Sequence, residues 1–410
     1  MRISRDLGLL LWGNGVSTLG TSVYLVTVLL LLKDMTQSVF LLGLFQFVAL
    51  IPGFLLSPLT GVLVDRSSRR TIIIRADLLR GLVMVGAAAG LAVPALRSPA
   101  LVLGVSALVG AGNAFFVPAA QALIPDLVPP EDLQRANGAR AASNQGFNLA
   151  GNALGGVLYT LLGAPLVFLL NGITFLLSAL QEMAIRAPRD RGRAGAGVHS
   201  SLGGGRGFIR ELMEGVTVVT RSSTALVVFL SQVGLFFLSP VLLLSLPFIV
   251  IDELGLSGAV VGLYFAISLA GGIVAFLLAG RVSVERVLDA PVLSLAYAML
   301  ACAFLLLGVL IFPATLLVAA FLFGLGAGTV YLYTVTWIQV RNAPELHGRL
   351  FSLLEAGNSL VAPVSYILTG LVLELLGQER RYMLFLLFAL TAGAWAVRSR
   401  MQWYNDRVRV

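Results

Sequence analysis

The sequence predicts an all-α membrane protein, with twelve transmembrane helices in two pseudo-symmetric six-helix bundles, and three observations carry that prediction. First, 58% of the 410 residues are hydrophobic and only 12% are charged, with a mean hydropathy of +0.93, well outside the range of soluble globular domains. Second, apolar runs long enough to cross a bilayer, about 20 residues, recur along the whole chain with short polar segments between them. Third, the chain repeats itself at an offset of 214 residues. Lipid offers no partner to bare backbone N–H and C=O groups, so spanning runs of this length are helices rather than strands.

In chain order, spans 1 to 6 cover approximately 7–32, 38–64, 71–96, 99–122, 136–162 and 164–186. Spans 7 to 12 follow at approximately 223–250, 257–280, 289–312, 314–341, 349–376 and 380–398. The predicted domains are therefore a first bundle, 1–186, a linker, 187–222, a second bundle, 223–398, and a tail, 399–410. Gly and Arg dominate 187–207, as in a flexible linker. From Phe208 to Thr220, apolar residues at helical spacing alternate with Arg210, Glu211 and Glu214. That pattern fits a helix on the membrane surface or a simple extension of span 7.

The 214-residue repeat pairs Pro130 with Pro344, Glu131 with Glu345, Arg135 with Arg349 and Asn144 with Asn358. It also pairs Gly110, Gly112, Gly156 and Gly163 with Gly324, Gly326, Gly370 and Gly377, placing spans 4 to 6 in register with spans 10 to 12. Duplicated bundles of parallel orientation hold their substrate near mid-membrane between the halves.

The net charge of +8 does not imply nucleic acid, because the cations lie in segments between spans rather than on one soluble face. With both termini in the cytoplasm, all 28 Arg and Lys residues except Lys33, Arg97, Arg380 and Arg381 fall on the cytoplasmic side. This asymmetry supports an even number of spans. Arg2 and Arg5 resemble the start of a signal peptide, but the apolar run behind them is too long and no cleavage is expected. Cys302 is the only cysteine, which excludes intrachain disulfides and thiolate metal clusters, and neither cofactor nor metal is expected. His199 and His347 lie in predicted loops, so no histidine relay crosses the membrane. No intramembrane His pair, acid pair or Ser with a base appears, so an enzyme is not expected.

Polar residues inside spans are costly in lipid and mark helix faces turned toward protein or water. Span 1 carries Asn14, Ser17, Thr18, Thr21 and Tyr24 on one stripe. Span 5 carries Arg140, Asn144, Asn148 and Asn152 at four-residue steps, a polar ribbon about 18 Å long. Any one of these amides could simply bond helix to helix. Taken together they read as a cavity wall, to which Gln46, Asn113, Gln232, Tyr331, Tyr333, Trp337 and Asn358 are the further candidates. No acid lies at a span centre. Glu355, roughly 9 Å into span 11, is the first candidate for proton coupling and Asp77 the second, with an ion pair to Arg349 the plainer role for Glu355. Glu182 and Glu374, near span ends, read as solvated.

Between spans 2 and 3 the chain reads Gly61-Val-Leu-Val-Asp65-Arg66-Ser-Ser-Arg69-Arg70. Gly61, Leu63, Asp65, Arg66, Arg69 and Arg70 match the Gly-x-Leu-a-Asp-Arg-x-Gly-Arg-Arg pattern of the major facilitator superfamily of secondary transporters, and Ser68 stands where the pattern has glycine. The chain thus resembles that superfamily. The resemblance implies the major facilitator fold, alternating access, and a latch in which Asp65 meets the start of span 11 while Arg66, Arg69 and Arg70 hold the contact and anchor anionic headgroups. In the second half the motif is reduced to Gly280-Arg281, with Val284-Glu285 replacing the arginine pair.

Gly151-Asn-Ala-Leu-Gly155-Gly156 in span 5 resembles the Gly-Pro-x-x-Gly-Gly signature of the superfamily's drug antiporters without its proline. Where such antiporters often carry an acid in span 1 and an arginine in span 4, this chain has Asn14 and Ser106. The stretch from Asn113 to Asn137 is similar to the bacterial branch that includes macrolide and catecholate siderophore exporters. What this implies is a proton-coupled efflux transporter of the prokaryotic inner membrane for amphiphilic substrates. The mostly amide and aromatic wall points to neutral or cationic ones, and a duplicated bundle is complete as a monomer. Its other expected partners are protons and membrane lipids. Importing a small nutrient and moving lipids between leaflets are the alternatives within the same fold.

Overall fold

The structure is a computed structural model describing residues 4–186, 213, 216–217, 219–220, 222–279, 281, 284, 288, 290–342, 346–347, 350–351, 353–354, 357–377 and 384–396. The linker 187–207, most of 208–220, Glu355, Arg349 and the tail 399–410 lie outside them; of Asp65, Arg66 and Asn358 only the backbone is described. The first half builds α1 (Arg5–Thr36), α2 (Val39–Arg66), α3 (Arg69–Ala92), α4 (Pro99–Leu127) and α5 (Leu133–Met183). The second half builds α6 (Ser223–Phe248), α7 (Gly258–Ala279), α8 (Ala290–Val309), α9 (Pro313–Arg341), α10 (Ala362–Leu376) and α11 (Leu384–Ala396). α5 contains two spans. At Gly163 its φ is 74° and ψ 166°, a break that divides it into arms 133–162 and 164–183. Among the described residues this gives twelve helical segments, counting the two arms of α5 separately.

The helices begin where the sequence supplies a cap. Ser4, Ser38, Ser98 and Ser222 each accept a hydrogen bond from the backbone N–H three residues on, at 3.2 to 3.3 Å, filling one of the donors that a helix start leaves open. Ser68 does the same for Thr71 at 3.4 Å. The serine that departs from the motif thus opens α3. The motif itself is not the loop expected from sequence: α2 continues through Asp65 to Arg66, and only Ser67 and Ser68 connect it to α3. Asp65 therefore sits in the last turn of a helix. Ser68→Ala should cost about 1 kcal/mol and Ser68→Gly only a few tenths, measured as a shift in thermal unfolding.

Two wide turns interrupt the second half. α6, with Pro240 and Pro247 inside it, ends in the turn Ile249–Glu253, and α10 is entered through the turn Gly357–Val361 just before Pro363. Prolines lack the N–H that a regular ladder needs, so the ladder widens beside them.

Two compact units result, one comprising 1–205 with 257–262 and the other 206–256 with 263–410. Lipid gives no hydrophobic drive between helices, so close packing through small residues does the holding. In the first unit a Cβ at Gly110 of α4 would come within 2.3 Å of the Ala49 carbonyl oxygen of α2, and one at Gly112 within 2.6 Å of Arg80 Cγ of α3. In the second, a Cβ at Gly324 of α9 would lie 1.7 Å from the Ser268 carbonyl oxygen of α7, and one at Gly326 2.8 Å from that of Ala296 in α8. The paired glycines of the repeat thus mark the same helix neighbours in both halves. Gly377 repeats the backbone of Gly163, with φ 76° and ψ 157°, angles that strain any side-chain-bearing residue.

Candidate functional site

The polar stripes of spans 1 and 5 come together along α1 and the first arm of α5. Asn14 Nδ2 donates to Asn144 Oδ1 at 2.9 Å and Ser22 Oγ donates to Asn148 Oδ1 at 2.5 Å. The approach is close because Gly15 faces the Phe147 ring, Gly151 faces the Leu19 carbonyl and Gly155 faces Val26. Asn144 and Asn148 thus also bond helix to helix. Thr21 returns its hydroxyl proton to the Ser17 carbonyl, as hydroxyls in apolar surroundings commonly do. Asn152 is half-buried further along, and at the other end Arg140 has its Nε buried with no hydrogen-bond partner among the described residues.

Tyr24, expected on the same wall, is packed inside the unit instead. It is 2% exposed, its hydroxyl lies 2.7 Å from Ser106 Oγ, and its ring meets Phe45 and Phe168 edge-on. Ser106, at the position the resemblance gives to an arginine, is thereby the polar partner of Tyr24. Gln46 of α2 is buried. Asn113 of α4 accepts from an Arg80 amino group.

In the second unit, Tyr333 and Trp337, one turn apart on α9, are both buried, and Tyr333 donates to the Leu288 carbonyl at 3.3 Å. Tyr331 lies two residues earlier, hence on another face, and is 43% exposed. The three aromatics do not form one wall. Gln232 of α6 is buried with its Oε1 unpartnered among the described residues, one residue from Ser231, whose hydroxyl accepts from the Trp395 indole at 2.7 Å.

The motif's arginines bind ends of other helices. Arg69 donates to the Ala122 carbonyl at 2.7 Å and to Asp126 Oδ2 at 2.9 Å, tying α3 to the end of α4. Arg70 donates to the carbonyls of Glu182 (3.2 Å) and Met183 (2.5 Å), satisfying two acceptors that the end of α5 leaves open. Gly61 is half-buried with open space beside its Cα.

Inside this frame lies a cluster of which sequence reading picked out only Asp77. Asp77 is 0% exposed and Arg80 3%, and the two form an ion pair one turn apart on α3. The Arg80 guanidinium is held between the rings of Phe116 (4.2 Å) and Phe175 (4.4 Å), its stem filling the space left by Gly112. Glu182 of α5, expected in solvent, is 0% exposed and within electrostatic reach of Arg80. The Asp-x-x-Arg spacing on one face of span 3 was the available signal. Among the described residues no three His, Cys, Asp or Glu side chains cluster as a metal site.

The model of the Major Facilitator Superfamily matches residues 10–340 and 224–406. The chain is 24% identical to macrolide efflux protein A of Streptococcus pyogenes over 381 residues, 91% of this chain and 90% of that one. Over 144 residues, 35% of this chain and 34% of the other, it is 35% identical to the multi-drug resistance efflux pump PmrA of Streptococcus pneumoniae. Among solved structures, a bacterial homologue of the lysosomal transporter Spinster covers 99% of both chains with a TM-score of 0.71 at 16% identity. The nucleoside transporter NupG superposes with a TM-score of 0.76 at 12% identity over 98% of this chain and 99% of its own. Identities this low carry the fold alone. With the family model spanning nearly the whole chain over a twelve-helix, twofold-repeated architecture, this integral membrane protein belongs to the Major Facilitator Superfamily of transporters.

Proposed function

We propose that the protein is an efflux transporter that exports amphiphilic organic compounds in exchange for protons by alternating access. The observation carrying this reading is the nearly full-length likeness to a macrolide efflux protein. The α1/α5 stripe supports the substrate chemistry: it is built of amides and hydroxyls with one cation, Arg140, which suits neutral or cationic amphiphiles better than polyanions, whose binding calls for clustered Arg or Lys. The remaining proposed wall residues are Asn152, Gln46, Gln232, Tyr333, Trp337 and Asn358. Glu355 and Asp77 are the acids proposed for coupling, and Asp65 with Arg66 the proposed latch. The orientation follows the cation asymmetry, with both termini on the cytoplasmic side of a prokaryotic inner membrane, the protein acting as a monomer.

Expression in a drug-sensitive bacterial host tests the reading. Macrolides and cationic dyes should accumulate less in expressing cells and be tolerated at severalfold higher concentrations. Unchanged tolerance with uptake of a small polar nutrient would replace export by import.

A further inference from the structure

Two buried carboxyl groups lie around one guanidinium in the first unit, Asp77 in contact with Arg80 and Glu182 within electrostatic reach of it. Asp77, Arg80 and Glu182 are each at most 3% exposed. Asp77 Oδ2, Arg80 Nε and Glu182 Oε2 are buried and have no hydrogen-bond partner among the described residues. Fully ionised, the three groups carry one uncompensated negative charge in a site shielded from solvent, where isolated charge is most costly. Arginine keeps its proton under any physiological condition, so it cannot adjust the balance. Asp77 is already in contact with the guanidinium.

The other groups around Glu182 do not supply the missing charge. Ser178 of its own helix offers a hydroxyl at 3.5 Å, and Gln181, with its Oε1 unpartnered among the described residues, faces Gly13 of α1. Arg70 uses its guanidinium on the backbone carbonyls of Glu182 and Met183, while Arg75 and Arg186 are exposed. α4 contributes the neutral Asn113, which bonds Arg80. On α1 the titratable residue nearest this end is Asp6, an acid that adds no cation.

We infer that Asp77, Arg80 and Glu182 form a proton-binding site, with one proton held by the carboxyl pair and seated on Glu182. Proton uptake converts a carboxylate to a carboxylic acid and leaves the Asp77–Arg80 pair intact, making the cluster neutral. Packing does not explain the cluster, because at the 214-residue offset the second unit has the uncharged Pro291, Ser294 and Ala396 in place of Asp77, Arg80 and Glu182. Between Gly326 of α9 and its neighbours stand Ala296 and Leu300 instead of an arginine. The site is therefore a one-sided device in a duplicated frame. Its use to drive transport rests on the antiport reading; the protonation does not.

Infrared spectroscopy of the full-length protein in lipid at pH 7 tests it. The wild type should show the C=O stretch of a protonated buried carboxyl group. Glu182→Gln should lose that band with unchanged thermal stability, since the amide resembles the neutral acid. Asp77→Asn should lose it too, because Glu182 then becomes the counter-ion of Arg80. Glu374→Gln, an exposed acid on α10, should leave it unchanged. Absence of the band in wild type, its survival in either cluster variant, or a marked stability loss in Glu182→Gln overturns the site. If the band behaves as expected but substrate moves no protons in wild-type vesicles, the antiport reading fails and the proton site stands. If both hold, Glu182→Gln should lower substrate-driven proton flux at least tenfold.

Discussion

Arg80→Met should destabilise the protein by about 3–5 kcal/mol, one of the largest effects expected of any single side-chain change. The substitution keeps a flexible apolar stem between Phe116 and Phe175 but removes the cation that pairs with Asp77 and acts on Glu182, for which no other buried cation stands in among the described residues. Breaking a buried pair costs far more than a surface pair returns, because the partner stays buried and uncompensated. Arg69 provides the contrast, since its bond to Asp126 is about one-third exposed at both ends, and Arg69→Met should cost no more than about 1 kcal/mol in unfolding. Thermal unfolding in detergent separates the two, with roughly 10 °C expected for Arg80→Met and a few degrees at most for Arg69→Met. Equal shifts would mean that Arg80 is not the buried hub of the unit.

The second large effect concerns the repeat. Gly324→Val and Gly110→Val each place a branched side chain against a backbone carbonyl of the neighbouring helix, at Ser268 and Ala49 respectively. A backbone oxygen cannot swing aside as a side-chain tip can, so the helices must separate. Overpacking of this kind costs about 3 kcal/mol, and the loss of interdigitation along the helix pair adds to it. Gly53→Val, with nothing within 4 Å of its Cβ position, should change little and serves as the control. Unfolding temperature and the fraction of monodisperse protein after extraction measure the difference. Matching behaviour of the Gly324 and Gly110 variants would support an equivalent crossing in both units, whereas a silent Gly324→Val would contradict the close approach.

How far the fold could be read from sequence depended on which forces act locally. Spans were legible because hydrocarbon demands long apolar runs and leaves the backbone no option but the helix. The repeat was legible because Gly163 and Gly377 need the same unusual backbone and Gly110 and Gly324 the same close neighbour, so residue identity carries geometry. The end of span 2 was misread because charged residues look like loop, yet a helix end at a membrane face tolerates Asp65 and Arg66. The polar ribbon of span 5 was visible by its period, but the partners of its amides depend on the approach of α1 and could not be read from one helix. Glu182 shows the same limit more sharply. One residue from the end of α5, it looked solvated, yet it is 0% exposed, with Arg70 of α3 donating to its carbonyl, a neighbour that one helix alone does not reveal.

The most direct test of proton-coupled export is proton movement in proteoliposomes holding the wild-type protein and a lumenal pH indicator. Addition of a macrolide or cationic dye should drive protons in the direction opposite to the substrate, in proportion to substrate concentration and not at all in vesicles lacking the protein. Substrate movement with no accompanying change in lumenal pH would contradict the proposed antiport.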